Sequence, residues 1–270
     1  MEISGKTKIV GIFGYPIEHT LSPAMHNAAF KYLGLDYCYI PFLVHPELLG
    51  NAVRAIKALN IVGVNVTIPH KENVIKYLDY VDEEAVFIGA VNTIVNANRK
   101  LSGYNTDGIG FMLSLEELNI NIDDKKVLVV GAGGASRAIG YYICKRAHKL
   151  FIYGRTKEKV LRLINDLRRI NDNIYLHENL DDLSEFDMIV NTTPLGLKDE
   201  DTLPFNIGLL RANQIVYDLI YKDTRLIKEA KEKGCIAING KGMLLWQGVK
   251  AFEKWTGISP PVDIMRSVLI

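Results

Sequence analysis

Two α/β domains are predicted from three features of the sequence. Short apolar runs alternate with helix-period segments along most of the chain. An apolar run, Val127-Leu128-Val129-Val130, leads directly into the glycine-rich turn Gly131-Ala132-Gly133-Gly134-Ala135-Ser136-Arg137-Ala138. Residues 1–126 stand ahead of that run, enough for a separate domain. A strand, a glycine turn and a helix start in this order predict that the second domain is a Rossmann-like doubly wound parallel sheet.

In chain order, residues 8–14 read as a strand and 23–33 as a helix with Pro23 in its first turn. Residues 36–44 form the next strand, 46–59 a helix led by Pro46, and 62–67 a third strand. After Ile68-Pro69-His70, residues 71–78 read as a third helix and 90–96 as another strand, which predicts a mostly parallel sheet covered by helices. A second series begins with a helix over 107–118, followed by the strand 127–130 and a helix over 135–146. Strand 149–153, helix 156–169 and strands 174–177, 188–191 and 215–219 continue it, then helix 224–233 and strand 235–238. Residues 242–255 are helical, Gly257 stops them, and Pro260-Pro261 breaks the pattern. The expected boundaries are 1–104 plus 240–270 for the first domain and 105–239 for the second, the two lying around a cleft.

Bulk composition narrows the function. The net charge is +1 with no basic tract, which argues against nucleic acid and anionic membrane surfaces as partners. Residues 1–8 are polar and the apolar stretch 9–13 is too short for a signal-peptide core, so a cytoplasmic location is expected. No run approaches the roughly 20 apolar residues of a membrane span. Cys38, Cys144 and Cys235 are widely spaced and odd in number, against a disulfide framework, and Cys144 reads as a core residue. The six histidines show no metal-ligand spacing, so no structural metal is expected.

The glycine turn has the spacing that holds a dinucleotide pyrophosphate. Gly131 permits a tight turn, Gly133 has no Cβ to keep phosphates away, and N–H groups at the helix start face the anion. The ordinary third glycine is replaced by Ser136, with small neighbours Ala135 and Ala138. About 20 residues further on, an NAD site places an acid at the next strand tip to accept the ribose 2′-hydroxyl. Here the tip reads Tyr153-Gly154-Arg155-Thr156-Lys157-Glu158-Lys159. Arg155, Thr156 and the lysines 157 and 159 are available where a carboxylate would repel a 2′-phosphate, so NADP is the expected cofactor.

Four polar clusters interrupt the apolar pattern of the first half: His19-Thr20-Leu21-Ser22-Pro23, Asn65-Val66-Thr67-Ile68-Pro69-His70-Lys71, Ala90-Val91-Asn92-Thr93 and Tyr104-Asn105-Thr106-Asp107-Gly108. Their hydroxyls, amides, ammonium and carboxylate are the inventory for holding a polyhydroxylated anionic small molecule and moving one proton. Singly, each has a plainer reading: Ser22 and Asp107 suit helix N-caps, and Thr67 suits a strand.

Taken in order, these clusters resemble the shikimate dehydrogenase family. The resemblance includes the glycine turn, Asn191-Thr192-Thr193-Pro194-Leu195-Gly196, Tyr221 and Met243-Leu244-Leu245-Trp246-Gln247-Gly248, and runs nearly the full chain. It implies that Thr20 and Ser22 bind a substrate carboxylate, Thr20 standing where the family usually has serine. It further implies that Thr67, Asn92, Tyr221 and Gln247 contact the carboxylate or ring hydroxyls, and that Lys71 and Asp107 form the catalytic pair. Cofactor contacts are implied for Gly131, Ala132, Gly133, Gly134, Ala135, Arg155, Thr156, Lys159, Thr192 and Gly240; Gly154 departs from the family's asparagine. The implied reaction is reversible NADPH-dependent reduction of 3-dehydroshikimate to shikimate by a monomer or homodimer. A quinate or dual-specificity dehydrogenase and a non-catalytic NADP-binding regulator are the alternatives.

Overall fold

The computed structural model describes residues 2–269. It divides into two compact units, residues Met1–Gly110 with Leu245–Ile270, and Phe111–Leu244.

The first unit contains β1 (Lys8–Gly14), α1 (Ser22–Leu33), β2 (Tyr37–Leu43), α2 (Leu49–Ala58), β3 (Gly63–Val66), β4 (Tyr80–Val81), α3 (Glu83–Ile88), β5 (Thr93–Ala97) and β6 (Lys100–Tyr104). Its sheet runs β2-β1-β3-β5-β6-β4. Strands β2, β1 and β3 are parallel, whereas β5 is antiparallel to both β3 and β6, so the sheet is mixed. The hairpin β5–β6 turns at Asn98 and Arg99, both left-handed at φ 53° and 63°, a turn whose twist matches paired strands. Val53, Ile56, Val64, Val66, Ile94 and Leu101 are buried together on this sheet.

The helix expected over 71–78 is absent. Turns lead instead to one 3₁₀ turn at Ile75–Tyr77. The carbonyl of Lys71, which a helix would pair with the N–H four residues on, accepts instead from Val91 N at 2.8 Å. This bond fixes the backbone that carries the Lys71 side chain.

Helix α4 (Asp107–Glu117) leads into the second unit. There follow β7 (Lys126–Val130), α5 (Gly134–Ile143), β8 (Lys149–Tyr153), α6 (Lys157–Leu167), β9 (Ile174–Leu176), β10 (Met188–Asn191), β11 (Ile215–Asp218), α7 (Arg225–Glu232) and β12 (Ile236–Ile238). Helices α8 (Lys241–Thr256) and α9 (Val262–Ser267) complete the chain's elements. The second sheet runs β9-β8-β7-β10-β11-β12 and is parallel throughout. By position along the chain this is the order 3-2-1-4-5-6 of a Rossmann sheet, which reverses between β7 and β10.

The division falls later than the expected 104/105 and 239/240 boundaries, so Asp107 belongs to the first unit. The reason is local bonding: Asp107 N donates to Asn105 Oδ1 and Thr106 N to Asn92 Oδ1. Among the described residues no helix is long and apolar enough to cross a membrane. The three cysteines are unpaired, and burial pushes the Cys144 thiol up to about 11.

Candidate active site

In the first unit, segments far apart in sequence converge on one ion pair. Lys71 Nζ lies 2.6 Å from Asp107 Oδ2. Asp107 is buried, while a quarter of the Lys71 side chain stays exposed. Among the described residues, Asp107 is the one carboxylate paired with Lys71. Its other oxygen, Oδ1, accepts from Asn92 Nδ2 at 2.8 Å. The same amide donates to Thr106 Oγ1 at 3.0 Å, and Asn92 Oδ1 accepts from Thr106 N and Thr93 Oγ1. Asn92 is thus fully bonded within the protein and holds the Asp107 carboxylate in one orientation.

Two residues outside the expected set complete this network. Asn65 Nδ2 donates to the Asn92 carbonyl and to Thr93 Oγ1, both at 3.1 Å. Tyr39 donates its hydroxyl to Asn65 Oδ1 at 2.8 Å and also hydrogen-bonds the Ser22 side chain. Burial holds the Tyr39 phenol well above its ordinary range, so it stays a neutral donor. Asn65 is visible in the sequence as part of a polar cluster. Tyr39 carries no local signal, because only the fold sets its hydroxyl beside Asn65.

The other expected residues of this unit are placed as follows. Thr20 Oγ1 accepts from Ser22 N at 3.3 Å, drawing both hydroxyl residues to the start of α1. Ser22 lies inside that helix; Leu21 holds the cap position, without a side-chain cap bond. Thr67 follows β3, its N–H bonded to the Phe13 carbonyl. His70 is buried with Nε2 2.8 Å from the Val44 carbonyl, a structural role that steadies the loop before Lys71. Gln247 is buried, and its backbone lies so close to Gly110 that a Cβ there would come within 2.7 Å of Gln247 N.

In the second unit, the chain ends of β7 and β8 frame a groove of about 540 Å³. Gly131 has φ +125°, which only glycine adopts readily, and its N–H bonds to the Tyr153 carbonyl at 2.7 Å. A Cβ on Gly131 would lie 2.2 Å from Thr192 Oγ1, whereas one on Gly133 would meet nothing within 4 Å. The bare face of Gly133 therefore opens on space that suits a phosphate. Arg155, Thr156 and Lys159 line the same groove as Ala132 and Thr192. Lys157 is engaged by Glu178 at 3.0 Å, while no carboxylate pairs with Arg155 or Lys159 among the described residues. The strand tip thus offers unpaired cations and no competing acid, which fits a dinucleotide bearing a 2′-phosphate. Tyr221 is half exposed, and its ring lies 3.0 Å from where a Gly240 Cβ would stand. Gly240 and Tyr221 lie outside the lining of the groove at Gly131.

Three family models match the chain. The shikimate dehydrogenase substrate binding domain matches residues 12–94, the shikimate / quinate 5-dehydrogenase model residues 113–195, and the shikimate 5′-dehydrogenase C-terminal domain residues 240–270. A shikimate dehydrogenase (NADP(+)) from Carboxydothermus hydrogenoformans is 47% identical, over 100% of this chain and 99% of its own. The chain belongs to the shikimate dehydrogenase family. Its likeness to solved family members is equally complete. The crystal structure of shikimate dehydrogenase from Aquifex aeolicus superposes with a TM-score of 0.93 at 43% identity, covering 99% of both chains. The shikimate 5-dehydrogenase of Thermus thermophilus, solved with NADP(H) and shikimate, gives 0.90 at 33% identity over 97% of this chain and 98% of that one.

Proposed function

We propose that the chain is an NADP-dependent oxidoreductase that reversibly reduces 3-dehydroshikimate to shikimate, with Lys71 and Asp107 handling the proton. The single observation that carries the chemistry is the 2.6 Å Lys71–Asp107 pair, with Asp107 fixed from behind by Asn92. NADPH held at Gly133, Gly134, Ala135, Arg155, Thr156 and Lys159 would supply the hydride for the C3 carbon of the ring. As the ketone is reduced, its oxygen needs a proton, and the Lys71 ammonium delivers it; in the reverse direction the Lys71 amine takes it back. Asp107 orients the ammonium through Oδ2 and accepts a hydrogen bond from the same ring hydroxyl.

Thr20, Ser22 and Thr67 supply hydroxyls for the substrate carboxylate and ring, with Gln247 and Tyr221 as further contacts and Asn92 acting chiefly on Asp107. Gly133, Gly134 and Ala135 receive the pyrophosphate, and Arg155, Thr156 and Lys159 the 2′-phosphate. The substrate assignment is tested by following NADPH absorbance with shikimate and with quinate, each against NADP and NAD. Turnover is expected with shikimate and NADP above the other three combinations. Preference for quinate with NAD would give the alternative dehydrogenase, and no turnover with any pair would give a non-catalytic binding protein.

A further inference from the structure

The third-glycine position of the turn holds Ser136, and the structure gives that serine a specific set of partners. Ser136 is buried, and its Oγ accepts from Gly133 N at 3.1 Å. On its other side Oγ lies 2.7 Å from Thr192 Oγ1. Thr192 follows β10, the strand beside β7 at which the sheet order reverses. The direction of the bonds is fixed. A carbonyl cannot donate, so Thr192 gives its single hydroxyl hydrogen to the Val130 carbonyl, 2.8 Å away. Ser136 must therefore donate to Thr192. The result is a one-way relay, Gly133 N–H to Ser136 O–H to Thr192 O–H to Val130 C=O, whose two ends are the backbone on either side of Gly131 and Ala132.

The two hydroxyls also occupy the face that Gly131 leaves bare. Thr192 Oγ1 and Ser136 Oγ lie 2.2 Å and 3.3 Å from where its Cβ would be. Gly131 accordingly makes room for the protein's own side chains, while Gly133 makes room for the ligand. Because the Gly131 and Gly133 N–H groups are committed to Tyr153 and Ser136, the anion falls to donors further along the helix start.

We propose that Ser136 and Thr192 are positioning residues that hold the turn in its ligand-ready shape before the dinucleotide arrives, so that their hydroxyls, engaged with each other and with the backbone, set cofactor affinity through the shape of the turn. The inference rests on the NADP reading above. A turn already held in place loses less freedom on binding, which is how a remote hydrogen bond reaches affinity.

The test is direct titration of NADPH fluorescence on the full chain without substrate, alongside thermal unfolding and steady-state kinetics. Ser136→Ala and Thr192→Val are each expected to weaken NADPH binding about tenfold, the scale of one buried hydrogen bond. The double variant should bind no more weakly than about either single one, because both break one relay. Thr192→Ser should restore binding to within about twofold, and the KM for shikimate at saturating NADP should stay within the same range in all variants. Ser136→Gly, which returns the ordinary third glycine, should behave like Ser136→Ala. Tight binding by Ser136→Gly, additive losses in the double variant, or losses matched by an equal change in shikimate KM would overturn the relay. Failure of the unsubstituted chain to bind NADPH would instead sink the cofactor reading itself.

Discussion

The two halves of the proposed chemistry are built in opposite ways. In the second unit, the groove is lined by Gly131, Ala132 and Gly133 of one short turn, the strand tip from Tyr153 to Thr156 with Lys159, and Thr192 to Leu195 after the neighbouring strand. In the first unit, the Lys71–Asp107 pair depends on side chains from α1, β2, β3, β5 and the loops around them, linked through Tyr39, Asn65 and Asn92. A phosphate can be met by backbone geometry, which a short motif dictates. Orienting a single proton donor needs buried side chains whose partners come from elsewhere in the fold.

The contrast is broken most directly at Lys71. Lys71→Ala is expected to lower kcat by about 10²–10⁴ with little change in the KM for shikimate, the signature of lost acid–base chemistry. Direct NADPH binding should be unchanged, since the groove lies wholly in the second unit. Steady-state kinetics and a binding titration check both halves, and a near-normal kcat would remove Lys71 from the mechanism.

The glycine turn gives the next largest effect, and two nearby substitutions should separate its parts. Gly131→Ala forces a Cβ into a left-handed backbone and against Thr192. It should lower the melting temperature and weaken NADPH binding by tenfold or more, at roughly 1–3 kcal/mol for such strain. Gly133→Ala adds a Cβ that meets no protein atom, so stability should hold while NADPH binding still weakens. Equal loss of stability in both variants would mean that Gly133, too, serves the fold alone.

How much is legible in the sequence follows the same divide. The Rossmann sheet, the turn and the lack of an acid at the strand tip before Arg155 can be read locally, because periodicity and a contiguous motif determine them. The Asn65 contacts cannot. Asn65 stands opposite Thr93 in the antiparallel pair β3–β5, and a mostly parallel reading of that sheet hides the partnership. Local pattern misplaces Lys71 onto a helix for a related reason: the bond that prevents it comes from Val91, distant in sequence and adjacent only in the fold. The compact-unit division falls a few residues after the expected 104/105 boundary and takes Asp107 with the first unit, where its backbone N–H bonds to Asn105, N-terminal to its helix. Ordered resemblance to a family, rather than physics read from the residues, supplies the pairing of Lys71 with Asp107.

Arg155 probes the cofactor side more gently. Arg155→Ala removes a charged donor at the strand tip and should raise the KM for NADP by roughly 10- to 100-fold, the range for a hydrogen bond to a charged group. The KM for NAD, which lacks the 2′-phosphate, should move little. A parallel rise for both cofactors would place Arg155 on the adenine or ribose instead.

The smallest expected effect separates the units by pH. His26 is fully buried in the first unit, stacked on Tyr39 at 4.6 Å, and neither ring nitrogen has a hydrogen-bond partner among the described residues. Burial lowers its pKa from 6.5 to about 3. Between those values the unfolded chain binds a proton that the folded chain does not, so stability falls as pH drops through 6.5 toward 3, by up to about 1.4 kcal/mol per unit. Asp218, buried in the second unit, has the opposite sign. Its carboxyl is raised by burial, against the hydrogen bonds it accepts from Thr224, Ile220 and Asn191. The folded chain therefore keeps a proton that the unfolded chain releases above 3.8, and this contribution is lost as pH rises. His26→Phe preserves the stacked ring while removing the titration. Denaturant melts between pH 7 and pH 5 should show a shallower acid loss in His26→Phe than in the unsubstituted chain, by about 25-fold in the folding constant across that interval. An unchanged slope would mean that the aromatic cluster opens to admit the proton, and that the first unit is less tightly closed around Tyr39 than its network of bonds requires.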